Sequence, residues 1–521
     1  VANENRFIIC KLFTLNLFFL ALVCHPVFEL VTSYLYIQKA MRNILLIIAD
    51  QLTHDALGCK GNPYVHTPNI DSLLQNGVGL GRVYSQYPLC GPVRASFWTG
   101  RLPHQTGVLS NGLRHHNKDV AQQNIPTLGR QLVKAGYHAI HFGKEHDYGA
   151  LDGFERMPRE QVMFTDPDGW PLNQDSYFDE GTTRQVEHYL RKMTDKSIDK
   201  PFMAVADLNN PHNICGYIGE FIGKHDNPPY PEKLPQLPAN FSFDDWDNRP
   251  RSVQYVCCAH RRQAQTAGWT AENFQHYLAA YYHYVDMMDQ NVGRILAALD
   301  ASGQRENTTI VFMADHGDNV TSRGSVTKHT SFYEQTTRVP MILSGAGIPA
   351  KGQWLNTPLL SLMDLTPTLC DLAGTQMEDV QGGHGISMLP YATGEKTDGG
   401  HDYVVSQWHT EWGYTIEPGR MLCTGRYKYT RYLEDVGPSH GEEFFDLEND
   451  PGEIRTLIHD PAYAQQLQQH RQLFETYLNE TGDDFLTHDW QAKPRYRSHP
   501  GCYDNHIGPC APDFEEQIAG K

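Results

Sequence analysis

The sequence predicts an α/β chain: a doubly wound, mostly parallel central sheet flanked by helices, followed by a smaller C-terminal α+β subdomain on an antiparallel sheet. Three observations lead there. Four short apolar runs each end in polar residues, as buried parallel strands do: Ile44–Ala49, Tyr137–Phe142, Phe202–Leu208 and Thr309–Ala314. Helix-like stretches separate them, and alternating strands and helices mark a parallel sheet. From about residue 395 the texture changes to short strands at close spacing. The expected organisation is a leader (1–40), a large α/β domain (41–395) and a C-terminal α+β subdomain with a tail (396–521).

Arg6 and Lys11 precede an uncharged run of thirteen residues, Leu12–Cys24 (LFTLNLFFLALVC). A basic start and an apolar-leaning run of that length read as a secretory h-region, too short for a comfortable membrane span. The run resumes weakly from Val31 to Ile37 without a clean small-residue cleavage site. An uncleaved N-terminal anchor and a translation start at Met41 are therefore the alternatives. Export, to the periplasm or beyond the cell, is the expectation; a start at Met41 would mean the cytoplasm.

The first strand, Ile44–Ala49, follows directly. Ile70–Gln75 and Ile125–Ala135 (IPTLGRQLVKA) read as helices, and Ala271–Leu299 as the longest, with apolar positions at helical spacing. Residues 213–270 form an insertion with a proline-rich stretch, 228–238 (PPYPEKLPQLP). Such an insertion either shapes a binding site or packs on the sheet as a surface excursion. Farther on, Tyr403–Val405, Gly413–Ile416, Met421–Thr424 and Tyr427–Tyr432 read as antiparallel strands, and Ala462–Leu478 as a helix.

At 521 residues, 40% hydrophobic and 20% charged, the chain can bury a large core, which excludes a disordered or fibrous protein. Its 61 acidic residues against 43 basic ones give a net charge of −18, which argues against nucleic-acid binding. A local cluster of cations and metal can still hold an anionic substrate. Eleven cysteines are too sparse for a disulfide scaffold. Cys502 and Cys510 could pair after export, whereas Cys257-Cys258 near His260 read as buried small side chains rather than metal ligands.

In open parallel sheets ligands bind beyond the C-terminal strand ends. Here those ends carry Asp50-Gln51, then Lys144 and His146, then His212, then Asp315-His316. Carboxylate and amide oxygens suit calcium or magnesium, and an imidazole shifts the preference toward manganese or zinc. A single strand-end Asp more commonly caps a helix. Two such pairs at neighbouring strand ends favour a metal site. Cys90-Gly91-Pro92-Val93-Arg94 reads as a helix start, because Pro92 suits the first turn. The positive helix terminus would stabilise an anionic nucleophile at 90, and Arg94, one turn on, points back toward the same atom.

The stretch CGPVR (90–94) resembles the Cys-x-Pro-x-Arg signature of the formylglycine-dependent sulfatases, in the alkaline phosphatase superfamily. Other blocks resemble that family in order and spacing: TPNIDSLLQNGV (67–78), GYHAIHFGKEH (136–146), NNPH (209–212), ADHGD (314–318), KHTSFYEQTTRVP (328–340), DLTPTLCDLAG (364–374) and FFDLENDPGE (444–453). Together they span about residues 42–480 and are jointly specific. The resemblance implies that a maturation enzyme oxidises Cys90 to formylglycine, making it the nucleophile and a metal-facing ligand. It implies that Asp50, Gln51, Asp315 and His316 surround the cation, with calcium first and magnesium, manganese or zinc as alternatives. Arg94 would hold the formylglycine, Lys144 and Lys328 would bind the sulfate oxygens, and His146 would orient the formylglycine hydroxyls. His212 would stand at the leaving-group oxygen as a general acid. Glu334 and Arg338 read as an ion pair steadying the Lys328 loop. Tyr84, His104, Arg114, His115 and His116 are weaker candidates for the pocket lining.

Gln51 stands where a second Asp is usual in the family, and His316 where Asn is common. That combination is more similar to the choline-sulfatase and phosphonate monoester hydrolase branches. The implied function is hydrolysis of carbohydrate sulfate esters, as by a bacterial polysaccharide sulfatase. The leader, the long insertion and the aromatic tail (Trp490, Tyr496, Tyr503) point to an extracellular polymer; the expected substrate is a sulfated polysaccharide, with a glycosaminoglycan such as chondroitin or dermatan sulfate as the leading example. The competing readings with the same nucleophile are a phosphonate or phosphate ester hydrolase and a choline-sulfatase-like enzyme. Two others are a thiol hydrolase using unmodified Cys90 and an inactive glycan-binding protein on the same scaffold. The last conflicts with every expected catalytic position being filled.

Overall fold

The computed structural model describes residues 41–487 apart from 112–116, 158–175, 195–199, 221–233, 243–244, 246–247, 251, 255–265, 267–268, 329–330, 378–384, 410–417 and 434–438. The leader, much of the 213–270 insertion, the expected strand Gly413–Ile416, Arg114, His115, His116, the Cys257-Cys258 pair, His260 and the tail with Cys502 and Cys510 lie outside the described residues. Among the described residues, no helix is long and apolar enough to cross a membrane.

The four expected parallel strands form side by side. In chain order the large sheet contains β1 (Asn43–Asp50), β2 (Gly77–Tyr84), β3 (His138–Gly143), β4 (Glu155–Arg156), β5 (Phe202–Pro211), β6 (Thr308–Ala314), β7 (Arg338–Gly345), β8 (Gln353–Leu355) and β9 (Leu360–Ser361). Their spatial order is β4-β3-β5-β1-β6-β7-β2-β8, with β9 also on β2. The block β3-β5-β1-β6 is parallel throughout, with Ile44 opposite Met203 and Thr309, so all four strands end at one edge. Every residue of β1, β5 and β6 is buried, which explains their continuous rather than alternating apolar character. β7 runs antiparallel to both β6 and β2. β5 outlasts its apolar run because Asp179 accepts the backbone N–H groups of Asn209 (2.5 Å) and Asn210 (2.9 Å).

The helices that frame the site and the second sheet are α1 (Pro68–Gln75), α2 (Cys90–Thr99), α3 (Leu128–Lys134), α4 (Ser176–Thr194), α5 (Ala271–Ala301) and α6 (Ala464–Thr481). The Thr270 hydroxyl caps α5 by accepting from Asn273 N at 3.4 Å. Arg294 of α5 pairs with Glu180 (2.5 Å) and Glu187 (2.9 Å) of α4. Asp289, also on α5, accepts Ile70 N at 2.8 Å and Asn69 N at 3.2 Å, covering donors left open at the start of α1.

A second, four-stranded antiparallel sheet follows, in the order β10 (Val404–Trp408), β11 (Gly419–Cys423), β12 (Tyr427–Tyr432) and β13 (Glu442–Asp446). Alternation gives it two apolar faces. Val404, Trp408, Met421, Cys423, Tyr432 and Phe445 join the main core, whereas Val405, Leu422, Tyr429 and Phe444 pack with Leu467, Phe474 and Tyr477 of α6.

His104, expected as a possible pocket residue, belongs to the framework around this sheet. Its Nδ1 accepts from Gln407 Nε2 (2.8 Å), and the Tyr477 hydroxyl donates to Asp483 (2.8 Å). Arg420 grips the same carboxylate with Nε (2.7 Å) and Nη2 (3.0 Å). Burial pushes the Asp483 carboxyl up, but Arg420 pulls harder and holds it at about 2 against an ordinary 3.8. A depressed folded-state value adds stability that is complete above pH 4 and is lost as pH falls from about 4 toward 2. The parent protein is expected to lose about 2 kcal/mol over that window that Asp483→Asn does not lose. Urea midpoints measured at pH 5 and pH 2.5 check this; equal acid sensitivity in the two proteins would refute it.

Candidate active site

The strand-end residues converge as the alternation of strands and helices requires. β1 delivers Asp50, β3 runs through Gly143 to Lys144, β5 leads to His212, and β6 leads to Asp315 and His316. Gly143 has φ +99°, and a β-carbon there would overlap the Asp207 carbonyl oxygen, so only glycine lets Lys144 N reach that oxygen at 3.0 Å. Cys90 is the first residue of α2 and is fully buried. The Asn111 carboxamide oxygen accepts the open Gly91 N–H at 2.8 Å.

Around Cys90 Sγ stand Lys328 Nζ at 3.1 Å, His316 Nε2 at 3.2 Å, Asp50 Oδ1 at 3.6 Å and Lys144 Nζ at 3.8 Å. Burial pushes the thiol up, yet Lys144, Lys328 and His316 pull it well below its ordinary value. This is the microenvironment of an anionic nucleophile. Lys144 Nζ also contacts Asp50 Oδ2. His316 donates from Nδ1 to the Gly317 carbonyl (2.9 Å), which turns Nε2 toward the cluster.

Asp50, Cys90, Asp315 and His316, all buried, place ligand atoms within 4.8 Å of one another. Burial raises the Asp50 carboxyl, but Lys144, His212 and Lys328 bring it well below the carboxylate range. Burial and the neighbouring Asp50 push Asp315 up to about 6, against His316 and Arg94. Two buried carboxylates of which one suppresses the other's ionisation are what a divalent cation relieves, so the donor set fits a metal ion.

Arg94 and Gln51 make their closest contacts with groups the resemblance did not imply. Arg94 donates to carboxylates rather than to Cys90: Asp207 Oδ2 at 2.5 Å, Asp315 Oδ2 at 2.9 Å and Asp50 Oδ2 at 3.1 Å. The Gln51 amide donates to Asp318 Oδ2 at 2.6 Å, and its carbonyl oxygen receives the Cys215 thiol at 3.4 Å. His146 Nε2 meets the Asn111 carbonyl at 3.1 Å, and its imidazole also stands against the Cys90 thiol, between the nucleophile and the loop that caps α2. His212 follows β5 and stands beside Cys90, Lys144 and Lys328, and its Nδ1 is buried without a hydrogen-bond partner among the described residues. Burial, with Lys144 and Lys328 alongside, pushes its imidazole down to about 3.

Tyr84 does not line the site; its ring is buried and its hydroxyl donates to Glu334 at 3.2 Å. Glu334 does pair with Arg338 (3.6 Å), but its closer partner is Lys428 Nζ at 2.7 Å, which also bonds the Phe332 carbonyl at 3.0 Å. Residues the sequence did not single out are Asp207, His141, Asn111 and Tyr277. Asp207 had a visible signal, a charge inside the otherwise apolar run of β5, and it meets His141 Nε2 at 3.2 Å.

The family model described as Sulfatase matches residues 42–375. The chain belongs to the sulfatase family. A second model, the N-sulphoglucosamine sulphohydrolase C-terminal region, matches residues 327–479. The sulfatase is 43% identical over 470 residues to a Delta 4,5-hexuronate-2-O-sulfatase of Bacteroides thetaiotaomicron, covering 90% of this chain and 95% of the relative. It is 29% identical to a choline-sulfatase of Rhizobium meliloti, covering 80% of this chain and 83% of that one. A solved 2-O GAG sulfatase superposes with a TM-score of 0.82 at 43% identity, covering 90% of this chain and 98% of that structure. The sulfatase is thus a sulfuric ester hydrolase, and the expected fold class holds.

Proposed function

We propose that this sulfatase removes the 2-O-sulfate from an unsaturated Δ4,5-hexuronate at the end of a glycosaminoglycan-derived saccharide, with chondroitin or dermatan sulfate as a source polymer. The observation that carries the reading is the near end-to-end similarity to the hexuronate sulfatase. On this reading the polysaccharide expectation from the sequence narrows to one sugar and one position. An exported enzyme fits such a substrate.

Asp50, Cys90, Asp315 and His316 would hold the metal, for which calcium is our first assignment. A cation held there would supply fixed positive charge for the sulfate oxygens. Gln51 is better cast as a positioning residue, since its carboxamide is engaged by Asp318 and Cys215. Oxidised to formylglycine and hydrated by one water, residue 90 would offer paired hydroxyls, one to attack sulfur and release the alcohol, the other to expel sulfate by elimination and re-form the aldehyde.

The chain's own residues account for the rest. Lys144 and Lys328 flank the reacting position and stabilise charge on the transferring sulfuryl group. Arg94 aims Asp50 and Asp315 and opposes the rise of Asp315, while Lys144 and Lys328 keep Asp50 ionised. His212 is neutral in the free site, and an anionic ester between it and the two lysines offsets the cations that suppress its protonation. The imidazole, buried beside Cys90 and the two lysines, is then the group offered to the leaving oxygen.

The test is sulfate release, read by ion chromatography, from unsaturated disaccharides sulfated at hexuronate O2 and from isomers sulfated at hexosamine O6. Choline sulfate, read in the same way, and an aryl phosphonate ester, read by release of its phenol, complete the panel. Release from O2 is expected to exceed release from O6 by at least about 100-fold. Faster turnover of choline sulfate or of the phosphonate ester would move the enzyme to one of those branches.

A further inference from the structure

The site depends on a side chain that touches neither the thiol nor the cluster around it. Tyr277, on the second turn of α5, is fully buried, and its hydroxyl uses both of its hydrogen-bonding roles. It donates to the Asp318 carboxylate, 2.9 Å from Oδ1 and 3.0 Å from Oδ2. It accepts the backbone N–H of Thr327 at 2.8 Å. The next residue is Lys328, whose ammonium lies 3.1 Å from Cys90 Sγ.

The segment held in this way needs holding. Val320, Thr321, Arg323 and Thr327 have φ of +42°, +65°, +58° and +58°, and three of these four are β-branched residues that avoid the left-handed region. Such backbone persists only where its surroundings over-determine it. Val320 N donates to Asp318 Oδ1 at 2.8 Å, and Asn319 N donates to the Thr327 carbonyl at 2.8 Å. Asp318 is in turn bonded by Gln51 Nε2 at 2.6 Å. Through Asp318, one phenol therefore ties the Lys328 segment to the Asp50-Gln51 turn.

We propose that Tyr277 is a positioning residue for catalysis, setting the Lys328 ammonium against the sulfuryl group by pinning Thr327 to Asp318. The proposal rests on the assignment of Lys328 to the transferring sulfuryl group. Tyr277→Phe keeps the ring and its packing against Trp269 and removes only the hydroxyl.

The experiment measures kcat and KM for sulfate release from the 2-O-sulfated unsaturated disaccharide in the parent, Tyr277→Phe, Lys328→Met and the double variant, with thermal unfolding followed in parallel. Tyr277→Phe is expected to lower kcat about tenfold with KM within about twofold, and to add little once Lys328 is gone. Wild-type kcat in Tyr277→Phe, or losses that multiply in the double variant, would overturn the proposal. A merely structural role would lower the unfolding temperature and leave kcat of the folded enzyme unchanged. Full activity in Lys328→Met would instead remove the underlying role of Lys328, so the two failures are distinguishable. If Tyr277→Phe does not accumulate, Asn319→Ala tests the same clasp from its other side, by cutting the 2.8 Å bond from Asn319 Nδ2 to the Thr327 carbonyl. The same loss of kcat is expected there, and unchanged kcat refutes the proposal.

Discussion

Cys90→Ala is expected to release sulfate on the order of 10⁵-fold more slowly than the parent sulfatase, with its far-ultraviolet circular dichroism unchanged. The Cys90 sulfur lies between two lysine ammonium groups and an imidazole, and alanine leaves those cations in place with nothing to attack sulfur. Fixed cations and substrate binding alone sustain only a small residual rate over water. The same substitution separates the competing readings. A glycan-binding protein on this scaffold would keep its affinity and lose nothing else, whereas a sulfatase loses turnover. Mass spectrometry of the parent adds the second distinction, because an aldehyde at residue 90 excludes a thiol hydrolase. Parent-like turnover in the alanine variant would end the nucleophile assignment.

Arg94→Met is expected to cost about 3–5 kcal/mol of stability. Its guanidinium is fully buried and serves three carboxylates, Asp50, Asp207 and Asp315. Burial opposes its charge, but Asp207, Asp315 and Asp50 more than restore it, so the group stays protonated at any accessible pH. Removing it leaves three buried carboxylates without their common donor. Arg94→Lys should fall between parent and Met, since one ammonium cannot reproduce the planar fork that reaches all three acids. Urea unfolding of the three proteins provides the ranking, and a Met variant as stable as the parent would show that the acids are neutralised in another way.

The parallel core was legible because burial on both faces writes itself as continuous apolar runs, and the observed β1, β3 and β6 start or end within a residue or two of those runs. β2 was not, because GVGLGRVY spends three of its eight positions on glycine and so weakens the strand signal. Gly79 is needed there: Trp354 packs where its β-carbon would be. β13 (EEFFD) was hidden by Glu442 and Glu443, which are buried against Arg471 and Arg249 from other parts of the chain.

The site was legible at the strand ends for the same topological reason, and illegible wherever a residue's role is set by a remote partner. Nothing near Tyr277 in sequence announces Asp318, and nothing near Arg94 announces Asp207. The single charge in β5 was the exception, visible as a break in an apolar run.

The carboxylates gathered on Arg94 come from positions 44, 113 and 221 residues away along the chain. Pairing β1 with β6 drives Asp50 and Asp315 together, a repulsive encounter unless α2 has already delivered its guanidinium. Contacts this distant in sequence carry a loop-closure cost, so the charge balance at the sheet centre is complete only in the chain that has docked α2 beside β1, β5 and β6.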